Sequence, residues 1–218
     1  MSASRLYYAR HKELWEELPL HNEDLAHDKE HILRIYRWAV QIAAESDVDP
    51  DLAGAAALLH DLCNTPKESP DRSLASESSA KQSIPYLENV GYSTQEQSII
   101  VEAIRTCSWS RGLDATNDVG AVLQDADRLD AIGAIGIMRT MACAQAMRGR
   151  GTSGSFYDPH DPFGKERTDL DDARYAIDHF SIKLLKLMAT MNTESAKQEA
   201  KRRHRFMLQF LFELAQEI

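Results

Sequence analysis

Two histidines and two aspartates in the order His31, His60-Asp61, Asp127 are the part of this sequence that could do chemistry. The central pair closes the apolar run Leu58-Leu59-His60-Asp61. One His stands about a helix pair upstream and one Asp far downstream. Charged or titratable groups at the end of an apolar helix are costly unless they are paired or hold a metal. Neutral imidazole and ionised carboxylate together suit Mn, Fe, Zn, Co or Ni, with the harder Mg less comfortable among imidazoles. Taken singly, each has a plainer reading: His27 or His31 as a core histidine satisfied by a backbone carbonyl, His60-Asp61 as an ion pair. The ordered set of four points instead to a divalent metal and to hydrolysis.

The elements that must position this set read as helices. Ala, Leu, Glu, Lys, Arg and Gln fill long stretches, while the ten glycines and seven prolines are scattered among 218 residues, so an all-α fold is expected. No linker rich in Pro, Gly or Ser divides the chain. One domain over residues 1–218 follows, with a core at about 24–190 and a C-terminal helix at about 193–218. Hydrophobic residues at 43% supply enough apolar surface for a sizeable core.

Spacings of three and four among Ile32, Ile35, Tyr36, Ala39, Ile42 and Ala43 predict a helix from about Asp24 to Ser46, with His27 and His31 sharing a face. A short amphipathic helix over 4–17 precedes it and ends before Pro19. A small-residue helix from Asp51 to Leu62 should be central and enclosed. Segment 63–75, with two prolines and no apolar period, reads as a loop leaving the metal helix and carrying Lys67 and Arg72. Phosphate oxygens would suit both bases, and a solvated loop with incidental charge is the alternative.

Ser73 or Ser76 is expected to cap the next helix, which runs to about Val90 with Pro85 as a kink or break and Gly91 as C-cap. Thr94 and Gln97 suggest a capping box for a helix to about Cys107. Residues 117–147 read as one long helical stretch in which Asp127 and Asp130, three apart, share a face. The Met and Ile residues after it read as core. The Gly-, Pro-, Asp- and His-rich segment 148–168 is expected to form a partly mobile lid or a surface excursion, followed by helices from Asp169 to about Met191 and from Thr193 to Ile218. The run Lys201-Arg202-Arg203-His204-Arg205 reads as surface charge.

Composition narrows the function classes. A formal charge of -9 argues against gripping long nucleic acid through phosphates, which needs clustered positive charge, but allows a small phosphorylated substrate near a metal and a few bases. Cys63, Cys107 and Cys143 have no paired spacing and an odd count, which suits a reducing compartment. No run approaches the ~18 apolar residues of a membrane span. A cytoplasmic protein without membrane contact is expected, and a homo-oligomer is allowed.

The set His31, His60-Asp61, Asp127 resembles the H...HD...D signature of the HD-domain metal-dependent phosphohydrolase superfamily. Further agreement lies in the H-D-x-x-x-x-P-K pattern followed by Arg72, in Asp125-Ala126-Asp127-Arg128-Leu129-Asp130 continuing to Gly136, in Asp161-Pro162-Phe163, and in Asp178-His179-Phe180 with Lys183-Leu184-Leu185. These strings, spread over about 24–212, resemble the small bacterial branch that includes nucleoside triphosphate pyrophosphohydrolases. The resemblance implies an HD-type helical bundle with long loops. It assigns one metal ion to His31, His60, Asp61 and Asp127, with Asp127 rather than Asp125 because the family ligand follows an Ala. It also implies that Lys67, Arg72, Arg128 and Lys183 meet a nucleotide substrate, that Lys67 assists at the leaving phosphate, and that Asp61 or Asp130 handles the proton. Asp130 as an acid orienting His60 or His31 is the alternative role. Two departures stand out: Thr106-Cys107-Ser108 where relatives often carry a His, and Asn64, which cannot act as a base, where other branches carry Glu. A regulatory domain that binds metal and nucleotide without turnover, and a phosphodiesterase or nucleotidase, are the other readings of the same pattern.

Overall fold

The structure is a computed structural model and describes residues 6–19, 28–63, 74–149 and 154–218. Among these residues the regular structure is helical, and the single β contact is an isolated bridge between Ser155 and Tyr175. The helices are α1 (Ala9–Glu17), α2 (Lys29–Glu45), α3 (Pro50–Leu59), α4 (Ala75–Asn89), α5 (Thr94–Thr106), α6 (Asp118–Asp130), α7 (Gly133–Gly149), the single turn α8 (Leu185–Leu187) and α9 (Glu194–Glu217). The fold class is all-α. None of the described helices is long and apolar enough to cross a membrane.

The chain forms two compact units. The first holds residues up to Arg128 together with 192–196, and the second holds 129–191 and 197–218.

In the first unit α3 is the hub, packed on α1, α2, α4 and α5. Its sequence explains this. Pro50 opens the helix with Asp49 capping it, the Asp49 carboxylate accepting from the Asp51 amide at 2.9 Å. Every residue from Leu52 to Leu59 is buried, and the small side chains let neighbouring backbones approach on all sides. Gly54 shows how closely: a methyl there would meet the His11 ring and stand 2.9 Å from the Tyr36 ring.

The polar groups brought in by α1 are satisfied in turn. The fully buried His11 lies between the Tyr36 hydroxyl at 2.9 Å and the Asp51 carbonyl at 2.9 Å, and burial pushes its imidazole below the usual value. Asp51 also accepts from Arg10 and, at 2.8 Å, from the Tyr92 hydroxyl.

Several expected boundaries move. Helix α4 runs through Pro85 to Asn89, so that proline does not end it. Ser76 is not a cap: it lies buried inside α4 with its hydroxyl on the Arg105 carbonyl at 3.3 Å, and Ser73 lies outside the described residues. Gly91 does close α4, with φ of 80° and its amide on the Glu88 carbonyl. The capping box of α5 stands one residue earlier than expected, between Ser93 and Glu96 (3.3 and 2.7 Å), because Gln97 is drawn to the Tyr92 carbonyl at 2.7 Å.

In the second unit, the expected single helix over 117–147 is broken after Asp130. Gly133 adopts φ of 77°, open mainly to glycine, and a side chain there would stand 3.1 Å from Arg203 Cβ and Cγ. Arg203 is therefore not part of a wholly solvated basic face: its Nη1 donates to the Leu129 carbonyl at 2.6 Å. The helix expected from Asp169 starts only near Asp178. Asp171 holds 171–174 in a turn by accepting from the Ala173 and Arg174 amides. The Asp178 carboxylate takes Arg167 through two bonds, 2.9 and 2.7 Å, and the Asp171 amide at 2.8 Å. Within the segment read as a lid, Asp161 accepts from the amides of Lys165, Glu166 and Arg167 at 2.9–3.0 Å. Residues 150–153 lie outside the described set.

Candidate metal centre

Three of the four expected ligands converge. His31, His60 and Asp127 each offer one ligand atom, and these atoms lie within 4.8 Å of one another. His31 sits in the first turn of α2 and is buried; Asp28, the N-cap, accepts from the His31 amide at 2.9 Å and so fixes where the helix begins. His60 is buried at the C-cap of α3, its ring 5.7 Å from that of His31 and inclined by 67°. Asp127 is half-buried on α6.

The hydrogen bonding of His60 sets its chemistry. Its Nδ1 lies 2.8 Å from the Ala57 carbonyl. A carbonyl only accepts, so Nδ1 carries the hydrogen and Nε2 keeps its lone pair, the tautomer needed of a ligand.

Asp125 stands outside the three-residue group that contains Asp127. The fully buried Asp125 carboxylate accepts from the amides of Asn192 and Thr193, both at 2.7 Å, from Thr193 Oγ1 at 2.8 Å and from Asn192 Nδ2 at 3.1 Å. It braces α6 to the turn before α9 and is consumed in doing so. Gln124, also buried, donates to the Thr106 and Leu113 carbonyls at 2.9 and 3.0 Å and accepts from Arg128 Nη2 at 2.8 Å. Nothing in the sequence around Gln124, Asn192 or Thr193 marks this brace, since its partners stand far apart in the chain.

The remaining expected residues fall out as follows. Asp61 is half-buried and outside the three-residue group, though its charge reaches Cys107. Cys107 is buried, and burial first, then the charges of Asp127 and Asp61, push its thiol up, so it stays protonated. Arg128 is buried; burial lowers its pKa against the opposing pull of Asp125 and Asp127. Asp130 is buried with Arg139 Nη1 at 2.9 Å on its carboxylate. Lys183 lies in the second unit, in the helical turn Phe180–Leu184. Lys67, Arg72, Asn64 and His27 lie outside the described residues.

The donor set suits a divalent ion of the first transition row: two imidazoles, at least one held in the ligating tautomer, and a carboxylate from a different helix.

Comparison with known proteins places this geometry. The HD domain model matches residues 29–132, a span that contains His31, His60, Asp61, Asp127 and Asp130. The uncharacterised protein YpgQ of Bacillus subtilis is 33% identical over 208 residues, covering 94% of this chain and 90% of YpgQ. The crystal structure of Bacillus subtilis YpgQ in complex with ADP matches with a TM-score of 0.70 and 30% identity, over 96% of this chain and 95% of that one. A Lactobacillus plantarum protein matches with a TM-score of 0.74 and 29% identity, over 97% and 98% of the two chains. An HD-superfamily hydrolase from Bacillus thuringiensis matches with a TM-score of 0.69 and 32% identity, over 95% of each. With the ordered histidines and aspartate gathered in one place and this similarity running along nearly the whole chain, the protein belongs to the HD domain family.

Proposed function

We propose that this protein is a metal-dependent phosphohydrolase acting on a nucleotide, with cleavage of a nucleoside triphosphate to monophosphate and pyrophosphate as its reaction. The observation that carries the reading is the convergence of His31, His60 and Asp127 within 4.8 Å. The ADP complex of the Bacillus subtilis relative supports a nucleotide as the ligand class.

His31, His60 and Asp127 would hold one divalent ion, with Asp61 as the fourth ligand expected from the sequence pattern. Such an ion, Mn, Fe, Co, Ni, Zn or Mg, supplies Lewis-acid chemistry, drawing electron density from a phosphoryl oxygen and making water a stronger acid. The chain's own groups do the rest. The Ala57 carbonyl keeps His60 in one tautomer and one orientation. Lys67 and Arg72 are assigned to the phosphate oxygens, and the buried Arg128 contributes positive field from beside Asp127. Of the two carboxylates considered for the proton, the buried Asp130 is engaged by Arg139 Nη1 at 2.9 Å. The half-buried Asp61 is therefore the better acceptor, and Asp130 serves to hold the end of α6 in place.

The test is a nucleotide panel with added Mn or Co, read separately for orthophosphate and pyrophosphate. Pyrophosphate from triphosphates is expected, with at least a hundred-fold loss on His60→Ala or Asp127→Ala and weaker Mn binding by equilibrium dialysis in the same variants. Orthophosphate as the sole product would move the assignment to a nucleotidase. Tight metal and nucleotide binding with no product from any substrate would support the sensor reading. Full activity in folded His60→Ala would refute the metal centre altogether.

A further inference from the structure

Helix α1 is fastened to the first unit by a chain of hydrogen bonds that an uncharged imidazole completes and a charged one breaks. The His11 ring is fully buried, its Nδ1 2.9 Å from the Tyr36 hydroxyl of α2 and its Nε2 2.9 Å from both the carbonyl and a carboxylate oxygen of Asp51 on α3. A carbonyl only accepts, so Nε2 carries the hydrogen and Nδ1 is left as an acceptor. The Tyr36 hydroxyl accepts from the Tyr7 amide at 2.9 Å and donates its own hydrogen to Nδ1. Every donor in the chain then has an acceptor.

A second proton on the ring finds no such place. It would set an N–H at Nδ1 against the O–H of Tyr36, which is itself fully buried and has no other acceptor among the described residues. One of the two donors is orphaned away from water. The ring has no room to turn aside, because a methyl on Gly54 would already meet it and Tyr8 stands edge-on with centroids 4.8 Å apart.

The surrounding charges do not reverse this. Asp51 favours the charged ring, while Arg10, paired with the same carboxylate, opposes it. Tyr92 and Glu96 reach the ring through Asp51 and Arg10. Helix α4, which also packs on α1, brings no titratable group to it among the described residues. Burial outweighs Asp51 and lowers the imidazole, and it pushes the Tyr36 and Tyr92 hydroxyls up, Tyr36 to about 12, so both stay neutral.

We propose that His11 is a proton-operated latch: α1 stays docked on α3 while the ring is neutral and leaves it when the ring takes a proton. A group held below its free value in the docked state favours docking above that value, and the effect is lost as the pH falls through it. With a free value of ~6.5, the population with α1 undocked should rise about ten-fold between pH 7.5 and 5.5.

Hydrogen exchange of the full chain, read by mass spectrometry in EDTA and corrected for the intrinsic pH dependence of exchange, tests this. No activity or metal enters, so its failure and the failure of the hydrolase reading are distinguishable. Peptides from α1 should open about ten-fold more readily at pH 5.5 than at 7.5, and those from α2 and α3 several-fold less than that. His11→Gln keeps a donor for the Asp51 carbonyl but takes no proton, and should abolish the difference. A variant whose α1 is already loose would show none either, so the wild-type ring is also read directly. NMR of labelled histidine nitrogens, assigned by the signal missing in His11→Gln, should show the Nε2–H tautomer titrating below ~6.5. Unchanged α1 protection at pH 5.5, a difference that survives in His11→Gln, or a ring that titrates at or above the free value would overturn the proposal.

Discussion

Replacing Asp125 by Ala should destabilise the fold through the turn at 192–193. The carboxylate is fully buried and accepts four bonds from Asn192 and Thr193, at 2.7 to 3.1 Å. Bonds to a charged acceptor contribute ~1.5–3 kcal/mol each, so a simple sum overshoots. Asn192 is exposed and its side chain also reaches the Ala121 carbonyl and Gln124 at 3.3 Å, and Thr193 is half-exposed, so both side chains can re-pair with protein or water. What stays lost is the anchoring of two backbone amides at the start of α9 and a carboxylate beside its N-terminus, together about 2–4 kcal/mol. For a chain of this length that corresponds to a Tm lower by roughly 4–16 °C. Asp125→Asn should lose nearly as much, since an amide nitrogen would face donors. Urea unfolding followed by circular dichroism, in EDTA so that metal plays no part, measures both. A loss below about 0.5 kcal/mol, within the range of ordinary surface substitutions, would refute the brace.

Two further outcomes follow from named contacts. Gly54→Ala drives a methyl into His11, which is held between Tyr36 and Asp51 and cannot swing aside; a cost of about 1–3 kcal/mol is expected, with amide exchange in α1 accelerating first, and unchanged urea stability would show that α1 yields freely. Arg105, at 2.7 and 2.6 Å, holds Glu102 down from the usual 4.5 to about 2. Because the unfolded chain binds the proton first as pH falls, this stabilisation is full above about 4.5 and is lost towards pH 2. Both side chains are about one-third exposed, so the effect is small and salt-screened. Urea midpoints of wild type and Glu102→Gln should converge between pH 5 and 2, and parallel curves would contradict the assignment.

The gathering of His31, His60 and Asp127 was legible because particular residue types recur in a fixed chain order, whatever lies between them. Helix α2 was legible for a related reason: the period of Ile32, Ile35, Tyr36, Ala39 and Ile42 is the period of the buried face itself. The break at Gly133 was not legible. A lone glycine is tolerated within a helix, and the Arg203 side chain that packs against it comes from 70 residues away in sequence. The capping frame of α5 was ambiguous because Ser93 with Glu96 and Thr94 with Gln97 both satisfy the motif, and only the Tyr92 carbonyl decides between them. Asp130 showed its carboxylate in the sequence but not its guanidinium partner, Arg139, which becomes its neighbour only once the helix breaks.

Asp125 and Asp127 lie two residues apart on α6 and hence ~200° apart around its axis. One tethers the helix from behind; the other projects towards the imidazoles. The three groups are thus gathered by the packing of the chain itself. On the proposed reading, binding of an ion need not be spent on ordering the chain, unlike the case of small zinc domains that fold only when loaded. Stripping with a chelator should then yield a folded apoprotein that recovers on refilling, and different divalent ions should compete for one preformed pocket on the strength of ligand preference alone.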